Sequence, residues 1–434
     1  MTEFYLYLFI AACIGLLLWG LMRIERAYQY PFFMGSIFIS FIVPQAFVLY
    51  NNPEPATPEA LQRLFLMAFL CAAMCWFGYQ ISPNHSLLNK LNVESDRTKL
   101  FQAGTVLLII GMLSKIAIGF VTIETAGHSN GWSGPATILW FFGGLLYIAF
   151  AIFLMELLQR SSIQNFIFTG LAAYFPLMDI IYAGRRQPAM TFFLIIGLCF
   201  WFVKRSIPPR WFFVVSIAAI IFLIPLFGAN RTIVNDAITQ DWEAIESSSE
   251  KAIENLQEKN SLELKNAAIL MDAASKTGRY GYGTAYWDAA IFQFFPGQIF
   301  GRELKEALQL KLGLSHFKYL FGYHIVPGST NTGIGDAFAE FDYFGCLVFA
   351  AIGYFYKHLW ISANYYKSMF SRLLYIGLGS PAMVTITHGT QRFVQEALFQ
   401  LIFVGFVIYF ARSRTSTKSV IYYKYGSYQS QKIN

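Results

Sequence analysis

Residues 3–22 read EFYLYLFIAACIGLLLWGLM, and this run decides the fold class of the chain. A helix that spans a membrane needs about 20 consecutive, mostly apolar residues. The run meets that length, and its single charged residue, Glu3, stands at its start. No cleavable signal-peptide pattern accompanies it, so we expect it to stay in the protein as the first transmembrane helix.

Ten further apolar runs predict an all-α polytopic membrane protein with about eleven transmembrane helices. Gly377, Gly379 and Pro381 interrupt the tenth run of the set. The expected divisions are 1–228 (transmembrane helices 1–8), 229–341 (a large outside loop with amphipathic helices), 342–411 (helices 9–11) and 412–434 (a basic tail). The further runs cover 31–50, 62–81, 100–122, 135–157, 163–183, 188–204, 211–228, 342–360, 372–390 and 393–411.

The composition supports a membrane protein and excludes other classes. The chain is 56% hydrophobic and 13% charged, whereas soluble proteins carry about 25% charged residues. This argues against a disordered chain, a soluble domain and a nucleic-acid partner, despite the net charge of +7. The five cysteines lie in apolar stretches without a CxxC pair, so we interpret them as packing residues.

The distribution of Lys and Arg sets the expected orientation, because cytoplasmic connections are enriched in both. With the N-terminus outside, 17 positive residues fall in inside segments and four in short outside segments. The N-terminus is therefore expected outside the cytoplasm and the basic tail inside it. The four outside residues are Arg63, Arg185, Arg186 and Arg392.

The segment 229–341 breaks the hydrophobic pattern, with 10 Lys/Arg and 14 Asp/Glu. Helical periodicity predicts one helix from Asp236 to about Lys276 and a second from Arg302 to Leu312. The aromatic stretch Arg279–Trp287 lies between them. An outside loop of this length, with its own helices, is usually functional.

Three arginines lie on the disfavoured side of the membrane, at predicted span ends. Arg185 and Arg186 occupy the turn GRRQP (184–188), and Arg231 follows the eighth run. The planar fork of Arg binds phosphate oxygens bidentately. These residues could hold a lipid phosphate or pyrophosphate; the alternative is snorkelling to ordinary headgroups.

Two charged residues lie inside predicted spans. Lys115 falls in the outer half of the fourth run, and Asp179 stands about one helical turn below the outer surface. Charges within the membrane are expensive and are functional hypotheses by default. The alternative is an ion pair, mutual or with a neighbour, that fixes helix packing.

The late outside elements supply candidates for proton transfer. Asp336 and Glu340 are four apart, so they share one helix face, where a general base or acid could stand. The alternative is acidic stabilisation of a helix N-terminus. His388, Arg392 and Glu396 follow at helical spacing in the last outside turn, where a solvated loop histidine is the alternative. There is no HExxH motif and no phosphate-binding loop, so we expect no metal, no ATP and no other cofactor.

The chain resembles the Wzy-type O-antigen and repeat-unit polysaccharide polymerases of bacteria. The resemblance rests on the span layout with one large late loop, the GRR turn (184–186) after the sixth span, Arg231 soon after the following spans, and GDAFAEFDYFG (335–345). It covers most of the chain as topology and about thirty residues as motif. The acidic element departs from a one-carboxylate pattern, because Asp336, Glu340 and Asp342 compete for the role of base.

The resemblance implies a metal-independent glycosyltransferase of the bacterial inner membrane, active at its periplasmic face. Its donor and acceptor would be undecaprenyl-pyrophosphate-linked glycans, and a flippase and a chain-length regulator would be further partners. Asp336, Glu340 or His388 would accept a proton from the attacking sugar hydroxyl. Pyrophosphate would bind Arg185, Arg186, Arg231 and Arg392, and sugar rings would contact Arg279, Tyr280, Tyr282 and Trp287.

Three other functions remain open at this point. An O-antigen ligase would share the loop and transfer the glycan to lipid A core. A flippase or other transporter should line a path through the membrane with charges and often contains inverted repeats; the charges here cluster at one face. The last alternative is a structural or assembly protein without an active site.

Overall fold

The computed structural model describes residues 1–121, 124–126, 131–133, 135–181, 186–206, 208–211, 213, 215, 262–312, 319–320, 323–324 and 329–413. Within them the protein is nearly all helical. The helices before residue 216 are α1 (Thr2–Met22), α2 (Tyr30–Ile37), α3 (Val43–Asn51), α4 (Pro58–Gln80), α5 (His85–Leu91), α6 (Arg97–Ile118), α7 (Pro135–Gly143), α8 (Leu145–Gln159), α9 (Ile163–Ile181) and α10 (Arg186–Lys204).

The described residues also contain two short antiparallel strand pairs, one before α7 and one in the later part of the chain. Strands β1 (Glu124–Ala126) and β2 (Gly131–Ser133) pair with each other, as do β3 (Tyr319–Leu320) and β4 (Tyr323–His324). The later helices are α11 (Leu262–Thr277), α12 (Thr284–Phe294), α13 (Gly297–Phe300), α14 (Arg302–Leu308), α15 (Thr332–Phe341), α16 (Cys346–Asn364), α17 (Met369–His388) and α18 (Thr390–Ala411).

The described residues contain nine helical segments long and apolar enough to cross a membrane, which makes the chain a helical polytopic membrane protein. Of the two other predicted runs, 163–183 contains α9 (Ile163–Ile181), whose Gln164, Asn165 and Asp179 reduce its apolar content. Most of 211–228 lies outside the described residues. The total of eleven therefore stays a prediction. The nine segments are Thr2–Met22, Tyr30–Asn51, Pro58–Gln80, Arg97–Ile118, Pro135–Gln159, Gln187–Lys204, Thr332–Asn364, Met369–His388 and Thr390–Ala411.

Pro44 and Pro381 are each accommodated in an apolar helical segment with a visible local adaptation. A π-helical turn, Phe38–Ile42, precedes Pro44 and joins α2 to α3; such a turn adapts the helix to a residue that lacks an N–H. Helix α17 continues through Pro381. The Leu378 carbonyl, just before it, accepts a hydrogen bond from the Tyr356 hydroxyl of α16. A neighbouring helix thus satisfies a carbonyl next to the proline.

Contacts between connections define two ends of the helix bundle. At one, which we call the tail end, the Asp96 N–H donates to the Ala411 carbonyl at 2.7 Å, and Arg97 pairs with Glu156. At the other, the loop end, Arg63 at the start of α4 pairs with Asp272 of α11 at 2.8 Å. The connections predicted inside lie at the tail end, and Arg63, which is predicted outside, lies at the loop end. Which end faces the periplasm stays a prediction.

Several boundaries in the late segment differ from the sequence expectation. The predicted ninth span, 342–360, is α16, and a short 3-10 turn, Asp342–Gly345, joins it to α15. Helix α11 begins at Leu262, and the first part of the predicted helix from Asp236 lies outside the described residues. The helix predicted from Arg302 to Leu312 ends at Leu308, because Gln309 is extended.

Candidate active site at the loop end of the bundle

Asp336 lies buried on α15 and caps a different helix. Its side chain accepts hydrogen bonds from the Thr390 N–H at 2.8 Å and the Gln391 N–H at 3.3 Å. The Thr390 hydroxyl and the Gln391 side-chain amide also donate to it. These are among the first amides of α18, which have no partner within their own helix. Asp336 is 4% exposed, and its carboxylate is committed to these donors.

The turn at Gly389 between α17 and α18, which we call the Gly389 corner, packs against the Asp336 carboxylate. Gly389 has φ +121°, a conformation that favours glycine. A Cβ at this position would lie 3.3 Å from Asp336 Oδ2. Asp336 thus holds the corner that separates His388, the last residue of α17, from Thr390, the first residue of α18.

Glu340, one turn further along α15, caps a second helix. Its Oε2 accepts from the Gly283 N–H at 2.8 Å and the Ala285 N–H at 3.4 Å, at the start of α12. The backbone reinforces this contact, since the Tyr282 N–H donates to the Glu340 carbonyl at 2.9 Å. At 1% exposure, Glu340 is also buried. The predicted shared helix is observed, but each carboxylate faces the N-terminus of another helix.

The two capped helices are joined by a hydrogen-bonded relay. The Tyr286 hydroxyl of α12 lies 2.8 Å from the Thr390 hydroxyl. Because Thr390 donates its single hydroxyl proton to Asp336, Tyr286 must be the donor to Thr390. Burial, followed by the negative charge of Asp336, raises the pKa of Tyr286. The phenol therefore stays protonated, as the relay requires.

The histidine and arginine of the last turn do not form the expected stripe. His388 ends α17, and the Gly389 corner separates it from Arg392 and Glu396 on α18. The His388 ring is exposed, with Nδ1 2.7 Å from the Thr387 hydroxyl. Arg392 pairs with Glu396 at 2.6 Å, four residues on. The spacing rule failed here because it assumed one continuous helix across Gly389.

The predicted sugar-binding residues lie beside α15 and differ in exposure. Arg279 and Tyr282 are exposed, and Trp287 is half exposed with its indole N–H donating to the Leu308 carbonyl at 2.9 Å. Tyr280 is partly buried and its ring packs against Phe338 of α15, with centroids 6.2 Å apart. Arg279, Tyr282 and Trp287 are therefore accessible to a ligand, whereas Tyr280 contributes to packing.

Of the predicted pyrophosphate ligands, Arg185 and Arg231 lie outside the described residues. Arg186 is the first residue of α10, and its side chain is likewise not described. The hydroxyls of Thr191 in α10 and Ser380 in α17 are hydrogen-bonded at 2.7 Å. The helices α10 and α17 run antiparallel. Five residues before Thr191 in α10 and five residues after Ser380 in α17, the Arg186 backbone therefore lies at the level of Thr385. The Thr385 carbonyl abuts Gly333 at the start of α15, so α10 begins near the level of the candidate site.

Lys115 and Asp179 form an ion pair with Nζ and Oδ2 2.5 Å apart. The Lys115 ammonium also lies 3.6 Å from the centre of the Trp140 ring. This is the mutual pair that the sequence analysis gave as the packing alternative. It joins α6 to α9 near the loop end.

Sequence reasoning missed Thr390, Gln391 and Gln395. Gln395 donates from its side chain to the Ala289 carbonyl at 2.7 Å, which ties α18 to α12. These residues looked like ordinary polar residues of a helix start. The signal that could have found them is the small–polar sequence Gly389-Thr390-Gln391 at a helix entry, opposite a buried acidic pair.

The described residues contain no group of three or more His, Cys, Asp or Glu side chains that could hold a metal ion. Comparisons of the chain with protein-family models, with curated proteins and with solved structures found no match. The function must therefore be argued from the site itself.

Proposed function

We propose that the chain polymerises undecaprenyl-pyrophosphate-linked oligosaccharide repeat units by glycosyl transfer at the loop end of the bundle. The observation that carries the proposal is the Gly389 corner. There an exposed imidazole, His388, and a partly exposed guanidinium, Arg392, stand beside a buried carboxylate that fixes the backbone between them. A proton acceptor and a cation held by a rigid scaffold are what transfer from a pyrophosphate needs.

His388 is the base in this proposal. Asp336 already accepts four hydrogen bonds, and Glu340 caps α12 from a buried position, so neither is placed to meet a sugar hydroxyl. We assign both as positioning residues. The exposed His388 ring takes the proton as the hydroxyl oxygen of the incoming repeat unit bonds to the anomeric carbon of the growing chain. The bond from that carbon to pyrophosphate breaks, and the lipid pyrophosphate leaves.

The arginines stabilise that leaving group. Arg392 would contact the pyrophosphate from the α18 side, and Arg185, Arg186 and Arg231 remain proposed ligands on chemical grounds. Arg279, Tyr282 and Trp287 would contact the sugars, because their side chains are exposed on the segment that leads into and begins α12. In this proposal the loop end faces the periplasm from the bacterial inner membrane, a flippase supplies substrate and a chain-length regulator acts on the product.

The test is an elongation assay with purified protein and lipid-linked repeat unit, read as a ladder on a gel. We expect a ladder in the presence of EDTA, its loss in His388→Ala, and its retention in His85→Ala, a matched histidine at the tail end. A ladder that needs a divalent metal would remove the metal-independent mechanism. Transfer to an added lipid A core acceptor, without a ladder, would identify a ligase.

A further inference from the structure

Helix α12 packs along the side of α18 and does not lie across the loop end of the bundle. The Tyr286 hydroxyl meets Thr390, the first residue of α18, and the Ala289 carbonyl meets Gln395. Phe294, at the end of α12, has its ring centroid 5.6 Å from that of Phe141, which lies 5.0 Å from that of Phe399. At 1.5 Å per residue, Phe399 is about 13 Å along the axis of α18 from Thr390. The end of α12 therefore reaches well below the start of a membrane-spanning helix.

The chain then turns and returns to the level at which it started. After Pro296 it forms α13 and α14. The carboxylate of Asp288, near the start of α12, accepts the N–H of Leu310 at 2.7 Å and that of Lys311 at 2.8 Å. The Trp287 indole donates to the Leu308 carbonyl. Residues 284–312 thus form a closed hairpin, which we call the α12–α14 hairpin.

The tip of this hairpin is apolar on its outside. Phe292 is 62% exposed, Ile299 66% and Phe300 50%. Polar backbone groups at the tip are satisfied locally: Lys305 donates to the Phe292 carbonyl at 2.9 Å, and the Phe295 N–H donates to the Ile291 carbonyl at 3.0 Å. Backbone that enters a bilayer must meet this condition.

The charges of the hairpin lie on its returning arm. Helix α14 carries Arg302, Glu303, Lys305 and Glu306, and the first two turns of α18 carry Arg392 and Glu396. The Lys305 ammonium reaches the tip, 4.4 Å from the centre of the Phe292 ring. Phe399 is the first aromatic residue of α18 after Glu396. The rings of Phe294 and Phe399 both pack against the ring of Phe141. A lysine beside an inserted tip can lay its apolar stem along the rings while its ammonium extends toward the headgroups.

We propose that the α12–α14 hairpin is re-entrant, and that its tip inserts into the leaflet at the loop end, where Phe292, Ile299 and Phe300 contact lipid acyl chains. The occupant is bilayer lipid, because Phe294 beside the tip lies near the level of Phe399 within a membrane-spanning helix. Further along the same helix, Phe406 is 67% exposed, as a lipid-facing ring would be. The inference goes beyond the proposed function and does not depend on it. In this proposal, part of the predicted outside loop 229–341 lies within the membrane.

The test measures depth with spin labels on single introduced cysteines in liposomes of phosphatidylethanolamine and phosphatidylglycerol. Ile299→Cys is the main variant, and Phe292→Cys gives an independent second position. Phe406→Cys is the control for lipid exposure and Arg279→Cys the control for water exposure. The unsubstituted protein checks that the buried native cysteines take up no label.

We expect labels at positions 299 and 292 to relax strongly with oxygen and weakly with a water-soluble nickel chelate, as at position 406. Strong relaxation by the nickel chelate, as at position 279, would place the tip in water and overturn the proposal. Weak relaxation by both reagents would show a protein contact, such as a second copy of the chain, and would overturn it as well.

Discussion

The carboxylate of Asp336 accepts the backbone N–H of Thr390, 54 positions later in the chain, at 2.8 Å. The equivalent contact of Glu340 runs to the Gly283 N–H, 57 positions earlier. One ten-residue helix, α15, therefore carries two carboxylates one turn apart. Each carboxylate caps the N-terminus of a different helix. Since the N-termini of α12 and α18 lie at the candidate site, the caps from α15 fix the positions of both helix starts there.

The first prediction tests whether Asp336 and Glu340 each cap one helix independently. Loss of a cap costs about 0.5–2 kcal/mol, and buried donors left without an acceptor add about 1–3 kcal/mol. We expect Asp336→Ala to lower the free energy of unfolding by about 2–4 kcal/mol on these terms. Hydrogen exchange should become faster at residues 390–392 in Asp336→Ala and at residues 283–285 in Glu340→Ala.

The control for both variants is Glu59→Ala, which changes an exposed carboxylate in the first turn of α4. It should leave exchange at both helix starts unchanged. Equal acceleration at both starts in each variant would mean that α15 unfolds as a whole, and the assignment of one cap to each carboxylate would be wrong.

The second prediction concerns the space beside Glu340. A Cβ at Gly281 would lie 2.2 Å from Glu340 Oε1, so Gly281→Ala must displace the carboxylate from the start of α12. We expect a destabilisation of about 1–3 kcal/mol, the range for overpacked sites, measured by thermal unfolding in detergent. In the matched Gly170→Ala, nothing lies within 4 Å of the new methyl group. A Gly170→Ala variant as unstable as Gly281→Ala would contradict this explanation.

The sequence predicted the membrane class and most helices, because each depends on a local run of apolar residues. It did not predict the caps, because contacts between positions 54 or 57 apart leave no local pattern. The stripe of His388, Arg392 and Glu396 failed for a related reason: one glycine with φ +121° ends one helix and begins the next. The predicted interruption at Pro381 does not end the helix, and the Tyr356 hydroxyl of a neighbouring helix donates to the Leu378 carbonyl three residues before the proline.

The third prediction tests whether Lys115 and Asp179 act in packing or in function. Removing one partner of a buried pair costs about 3–5 kcal/mol, whereas replacing both with apolar residues is often neutral. We expect Lys115→Met and Asp179→Leu each to lower the thermal stability of the purified protein. The double variant should recover most of it.

Activity of the double variant then decides between the two alternatives. A stable double variant that still elongates chains fits the packing role that the ion pair indicates. A double variant that is stable but inactive would show that the charges act in the reaction. Instability equal to the sum of the two single effects would mean that the pair is not coupled.

The fourth prediction concerns Arg392, whose pairing with Glu396 spans one turn of α18. A partly exposed pair at this spacing contributes about 0.3–0.5 kcal/mol, so Arg392→Ala should scarcely change stability. If Arg392 binds pyrophosphate, a lost hydrogen bond to a charged group costs about 1.5–3 kcal/mol, which corresponds to a fall in elongation rate of about tenfold or more. Arg392→Lys should recover only part of the rate, because an ammonium lacks the bidentate fork.

The matched control is Arg160→Ala, which removes an exposed arginine at the tail end of the bundle. Its elongation rate should equal that of the unsubstituted protein, since no substrate phosphate reaches that end in the proposed mechanism. An Arg392→Ala variant with a normal rate and normal stability would remove Arg392 from the substrate site. The pyrophosphate would then have to be bound by Arg185, Arg186 and Arg231 alone, and the Gly389 corner would hold only the base.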